Sequence, residues 1–254
     1  MERKIIWYSC GVSSTIAGLL ADKEGTAEWI RIFLPNEDTD SERYLDDCIE
    51  RFDLDVQTIT ADKSVDEVIL KRRFINSPFG APCTSVLKKE VRFAWEKENI
   101  REDDHITYVW GFDVNETHRA QRMIESYPQF DHEFPLIDNN LTKADCHGII
   151  KELGVKRPRM YDMGFPNNNC IMCVKGGMGS FNLFRQYFPE QFNKRAQTER
   201  QIGHSCLKKC FLDELPEDAG RKLKVIPQEL TVTGAAALQV INTNLEGKKL
   251  RKIS

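Results

Sequence analysis

No stretch of this 254-residue chain approaches the roughly 18 consecutive apolar residues that a membrane-spanning helix needs. Charge of neither sign dominates: 36 Lys and Arg stand against 39 Asp and Glu, a net of -3. No global field therefore draws the chain to nucleic acid, although a local basic patch remains allowed. The opening residues, MERKIIWYSCGVSS, hold an apolar run too short for the core of a secretion signal. A cytoplasmic protein with no membrane partner is expected. Two familiar phosphate loops are missing as well, since neither a Gly-Lys-Ser/Thr nor a G-x-G-x-x-G pattern occurs. There is no internal repeat and no low-complexity tract.

What is present reads as alternating strands and helices. Lys4–Ser9, Glu28–Leu34, Val56–Thr60 and Ile106–Phe112 are short apolar runs of strand type, and Glu133–Leu136 is expected as a fifth strand. Between them, Ser13–Ala21, Ser41–Phe52 (with Ser41 as N-cap), Val65–Arg73, Ser85–Lys97 and Glu116–Glu125 carry helical spacing. A helix at Lys143–Leu153 follows the fifth strand. This order predicts an α/β fold, a mostly parallel five-stranded sheet with helices on both faces. After Gly154 the chain becomes loop-rich, with helices expected at Ser180–Phe188 and Glu190–Ile202. Three regions are expected: a nucleotide-binding α/β domain over 1–154, a cysteine region over 155–220 packed on it, and a tail over 221–254 with a frayed end.

The first strand runs into Ser9-Cys10-Gly11-Val12-Ser13-Ser14-Thr15, at the start of the first helix. A strand-to-helix turn of this kind aims backbone N–H groups and the positive helix end at one point, which suits phosphate. The same residues also satisfy a plain helix start. Asn36, Asp38 and Thr39 follow the second strand, and Gly111, Glu116 and Arg119 follow the fourth. In a parallel sheet such loops face the ligand crevice. Capping of the next helix would employ the same polar groups.

Eight cysteines in a chain expected in a reducing compartment call for something other than disulfides. Cys170 and Cys173 form a C-x2-C pair between a run of asparagines and Gly176-Gly177, a spacing that lets two thiolates hold one metal. Cys83 lies upstream; Cys206 and Cys210 lie downstream. Cys10, Cys48 and Cys146 are read as packing residues. Lys88, Lys89 and Lys175 stand beside the thiols in sequence, and His204 precedes Cys206 by two residues.

The turn resembles the PP-loop, S-G-G-x-D-S, with Cys10 at the second position and Ser13 where Asp is usual. Cys83-Thr84 with Leu87-Lys88 resembles the C-C-x-x-R-K segment of APS reductases. Pro135-Leu136-Ile137, Ala144-Asp145, Leu153-Gly154, Pro158, Tyr161-Asp162, Gly164-Phe165 and Cys170-x2-Cys173 follow in that family's order. The chain over roughly 1–210 thus resembles the PAPS/APS (sulfonucleotide) reductases of the PP-loop ATP pyrophosphatase superfamily, also called adenine nucleotide alpha hydrolase-like.

The resemblance implies a HUP/PP-loop fold and an adenine nucleotide, ATP or APS/PAPS, held by Ser9, Cys10, Gly11, Val12, Ser13, Ser14, Asn36, Asp38, Thr39, Gly111, Glu116 and Arg119, with Mg as a companion ion. It implies a [4Fe–4S] cluster on Cys83, Cys170, Cys173 and Cys206, with Cys210 in reserve; a zinc site on the same thiols is the alternative. Cys206, His204 and Lys88 become catalytic candidates.

Departures from the family limit the inference. One cysteine stands where the family has a pair, Asp113 takes the place of a common Arg, and no cysteine follows Cys210, so the nucleophilic E-C-G-x-H tail is missing. The expected activity is therefore ATP-dependent, AMP- and pyrophosphate-forming sulfur transfer assisted by the cluster. An APS/PAPS reductase that releases sulfite with a different thiol, and a non-catalytic nucleotide module with structural zinc, are the alternatives. Expected partners are a nucleic-acid or small-molecule sulfur acceptor and a sulfur-donor or reductant protein. A homodimer is compatible with the sequence.

Overall fold

A computed structural model describes residues 1–78 and 80–253, with the side chains of 252 and 253 excluded. Five strands form one all-parallel sheet: β1 (Glu2–Trp7), β2 (Glu28–Phe33), β3 (Val56–Thr60), β4 (His105–Val109) and β5 (Asp131–Glu133), in the order β3-β2-β1-β4-β5. The strand order reverses between β1 and β4. Such a switch point opens a crevice outside the carboxyl ends of the strands.

Both faces of the sheet are covered, and β1 shows why. Ile6 packs with α1 (Val12–Ala21), α2 (Asp40–Phe52) and α8 (Lys143–Glu152), whereas Ile5 points to the opposite face and packs with Trp95 of α5 (Glu90–Asn99). The alternation of side chains along a strand makes the two layers obligatory. On the α1 side, Trp29 lies so close to Gly18 that a Cβ there would fall 2.2 Å from the indole. Only a residue without a side chain allows helix and strand this near.

A third apolar cluster joins α3 (Val65–Arg72), Ile75, Ala81 and Leu87 to residues 160–215. It includes α4 (Pro82–Thr84), a π-helical turn at Ser85–Lys89, and α9 (Arg159–Asp162), α10 (Met178–Tyr187) and α11 (Pro189–Ile202). All five of Cys83, Cys170, Cys173, Cys206 and Cys210 belong to this cluster or pack against it. Among the described residues, no helix is long and apolar enough to cross a membrane.

Several local expectations are corrected. The fifth strand covers Asp131–Glu133, and Pro135–Asp138 is a short helix, α7, with Pro135 in its first turn. Pro135 has no N–H for a strand ladder but fits a helix start. Thr39, not Ser41, occupies the N-cap of α2. The helix expected to begin at Ser85 starts as α4, passes through the π turn and continues as α5; α6 is Thr117–Ser126. The tail is not a frayed end. It forms α12 (Val232–Ile253), which seats Ala237 and Ile241 against α1 and α8. Asn244 donates to the Leu19 carbonyl at 3.2 Å, and Asp145 accepts from the N–H and hydroxyl of Thr231 at 3.0 and 2.6 Å.

Candidate functional site

The glycine turn lies at the switch point. Cys10 takes a left-handed conformation (φ 51) and Gly11 is the extended N-cap of α1. No side chain caps α1, so its first N–H groups lack the partner that such a residue gives. The hydroxyls brace the turn itself. Ser14 Oγ donates to the Gly11 carbonyl at 2.8 Å and lies 3.0 Å from Ser9 Oγ. Thr15 Oγ1 lies 2.8 Å from the buried Tyr44 hydroxyl. The backbone N–H groups of Val12 and Asn168 approach the Tyr161 hydroxyl.

From β4, Gly111 lies flat on this turn. A Cβ there would stand 2.8 Å from Ser14 Cα and 2.9 Å from Ser14 N. Ser9 remains exposed while Cys10, Gly11, Val12 and Ser14 are buried. Beyond Val12, whose N–H meets Tyr161, the first turn of α1 leaves N–H groups beside the exposed Ser9, itself bonded to Ser14, and helix N–H groups of this kind are the chemistry of an anion site.

Of the other nucleotide-contact candidates, Asn36, Asp38, Glu116 and Arg119 are already employed within the fold. Asn36 Oδ1 accepts from the Val65 N–H at 2.8 Å and so caps the start of α3; its carbonyl accepts from the Ile171 N–H at 2.8 Å. Asp38 is buried in a forked ion pair with Arg159, at 3.0 Å for Nε to Oδ1. Thr39 is exposed. Glu116 closes a capping box with Asp113 and pairs with Arg119, whose guanidinium sits 4.3 Å from the Phe112 ring centroid.

Asn168 was legible only as one of three asparagines before the C-x2-C pair. It donates from Nδ2 to the Cys10 carbonyl at 2.8 Å and to Ser41 Oγ at 3.0 Å. Two residues later the chain reaches Cys170. One loop thus holds the glycine turn at one end and the thiols at the other.

Cys83, Cys170 and Cys173 lie near enough to act on one another electrostatically. Burial pushes the Cys170 thiol up to about 12, opposed by the Lys88 ammonium. Burial and the neighbouring Cys173 raise Cys83, opposed by Lys175, Arg195 and Lys88. Arg195 is the cation that sequence reasoning missed. It is buried, donates to Asp66 at 2.7 Å and to the Met172 carbonyl at 3.3 Å, and its Nε has no hydrogen-bond partner among the described residues. It acts on Cys206 as well as Cys83. Its position in an otherwise polar helical stretch gave no sequence signal.

Cys206 is held differently. Burial and the adjoining Glu199 carboxylate raise its thiol. Glu199, fully buried, accepts from the backbone N–H of Cys206 at 2.5 Å and of Leu212 at 2.6 Å. Cys206 and Cys210 line a cavity of about 880 Å³ with Phe74, His204, Lys208 and Phe211. His204 packs edge-on to Phe74 at 4.6 Å, and its Nδ1 has no hydrogen-bond partner among the described residues. Lys88 is exposed and lies on the Cys170 side.

Soft thiol donors are the right chemistry for an iron–sulfur or zinc centre. Among the described residues, however, no three His, Cys, Asp or Glu side chains are placed to hold a metal ion. The four thiols therefore do not fit such a centre as they stand. Cys10, Cys48 and Cys146 are fully buried; Ser13 lies within hydrogen-bonding reach of Cys146.

No family model matches the chain, and a search of curated proteins finds no match.

Proposed function

We propose that the chain is an enzyme of PP-loop type that binds an adenine nucleotide across the glycine turn and couples it to sulfur chemistry at the adjoining thiols. The observation that carries this reading is the loop 166–173, which fastens Asn168 to the Cys10 carbonyl and delivers Cys170 and Cys173 beside Cys83. A phosphate-binding helix end and a thiol group so joined form one site.

The favoured reaction is ATP-dependent sulfur transfer. An acceptor oxygen attacks the α-phosphorus of ATP and pyrophosphate leaves, its charge met by the N–H groups of Ser13 and Ser14. A sulfur nucleophile supplied by a donor then displaces AMP. The raised thiols of Cys83 and Cys170 stay protonated near neutral pH. They therefore need a cation or a change of surroundings to act as nucleophiles, and Lys88, Lys175 and Arg195 are the cations at hand.

The test is product analysis with the full chain. Release of pyrophosphate from ATP, lost in Ser14→Ala and in Asn168→Ala, supports the proposal. Sulfite release from APS or PAPS without pyrophosphate replaces it with the reductase reading. Nucleotide binding with neither product reduces the protein to a binding module. Metal analysis after anaerobic purification decides whether the thiols close around iron, zinc or neither.

A further inference from the structure

Beyond Gly111, β4 and β5 carry an aromatic array that the proposed chemistry does not use. Trp110 and Phe112 continue the line of β4; His132 and Phe134 lie on and after β5. Their ring planes are close to parallel. Trp110 and Phe112 are 5.9 Å apart at 8°, Phe112 and Phe134 6.2 Å at 16°, and His132 and Phe134 6.2 Å at 19°. All four side chains are partly exposed.

Hydrogen bonds fix the array. The Trp110 indole N–H donates to His132 Nδ1 at 3.0 Å, and His132 Nε2 donates to the Tyr127 carbonyl at 3.0 Å. Both ring nitrogens of His132 are thus engaged, and its ring lies between Trp110, 6.2 Å away at 30°, and Phe134, so it holds the array together. Arg119 stacks on Phe112 and is itself exposed.

Cations surround the rings. Arg92 lies 4.2 Å from the Tyr127 ring and 6.0 Å from Trp110 but is buried and paired with Glu96 at 3.1 Å, so the exposed Lys88 and Lys89, about one turn before it, are the cations open to a ligand on this side. His118 and Arg122 are exposed on α6 beside Arg119. Glu116 is paired with Arg119.

The array adjoins both halves of the site. Gly111 touches the glycine turn one residue before Phe112, and Lys88 reaches the Cys170 side. Flat, tethered rings flanked by Arg and Lys are the chemistry that binds successive bases and their phosphates. A set of four rings is more than one purine can cover.

We infer that this array is a stacking platform for a single-stranded nucleic acid, the acceptor of the proposed reaction. The inference rests on that reading for the acceptor role but not for binding. The experiment is fluorescence anisotropy of the full chain with a labelled RNA and a labelled DNA of roughly 12 nucleotides, single-stranded and as duplexes. The expected result is tighter binding of single strands. Phe112→Ala and Phe134→Ala should each weaken it by roughly 5- to 100-fold, Phe112→Tyr should retain it, and ATP affinity should be unchanged in all three.

Equal affinity of wild type and both alanine variants overturns the inference. So does equal binding of duplex. A parallel loss of ATP affinity assigns the rings to the mononucleotide's own base instead, and also overturns it. Oligonucleotide binding that survives while pyrophosphate release is never seen sinks the proposed reaction but not the platform.

Discussion

The glycine turn and the thiol region lie at two ends of one loop and are held together in opposite ways. At the turn, Ser9, Ser14, Thr15 and Tyr44 bond to one another or to the Gly11 carbonyl, and Gly111 closes over them in backbone contact. Around the thiols, Arg195 Nε and His204 Nδ1 are buried without a hydrogen-bond partner among the described residues, and one carboxylate, Glu199, fastens two backbone groups of the 203–212 loop. Unpaired buried polar atoms are rare in finished cores. The difference separates a turn braced by its own hydroxyls, with Asn168 Oδ1 left unpartnered among the described residues, from a thiol region held by a buried arginine and a buried carboxylate.

The largest effect expected from breaking that contrast is at Glu199. Glu199→Ala leaves the N–H groups of Cys206 and Leu212 without their charged acceptor and should destabilise the fold by about 3 kcal/mol or more. Denaturant unfolding checks this. A loss under about 1 kcal/mol would show that the loop has other anchors.

A pair of glycines sharpens the same comparison. Gly111→Ala puts a methyl group into the backbone of Ser14 and should cost about 1–3 kcal/mol. Gly177, at the start of α10, has an ordinary φ of -87, and a Cβ added to it would meet no atom within 4 Å. Gly177→Ala should be close to neutral in the same measurement.

An effect that is absent at neutral pH appears in acid. Burial, with Arg157 adding to it, holds His147 down at about 3. The unfolded chain takes up a proton there below about pH 6.5, which the folded chain refuses. Folding stability contributed by neutral His147 is therefore complete above that value and falls as pH drops toward 3. His147→Gln should flatten the acid limb of a stability–pH curve; an unchanged limb would assign it to other groups.

Much of the fold was legible because its signals are local. Four of five strands and their following helices appear close to the expected places, since apolar runs and helical spacing need no distant partner. α7 was missed because Pro-Leu-Ile reads as strand until the proline's position is known. α12 was missed because TVTGAAALQVI has little contrast between faces, and its helix is stabilised by packing on α1 and α8. The glycine turn was legible as a strand-to-helix junction. That Asn36 and Asp38 would serve α3 and Arg159 was not, because both partners lie far away in the chain. The grouping of Cys83 with Cys170 and Cys173 followed the expected motif order, but the separate holding of Cys206 by Glu199 carried no spacing signal. The aromatic array needed two strands in register before its rings could be seen as one surface.

The central claim is that turn and thiols are a single site joined through Asn168. Alkylation of each cysteine in the full chain, followed by mass spectrometry with and without saturating ATP, tests it most directly. The account predicts that ATP changes the labelling rates of Cys170 and Cys173 several-fold, leaves Cys210 unaffected, and loses this influence in Asn168→Ala. Identical labelling of Cys170 and Cys173 in the two conditions, in protein shown to bind ATP, would contradict it.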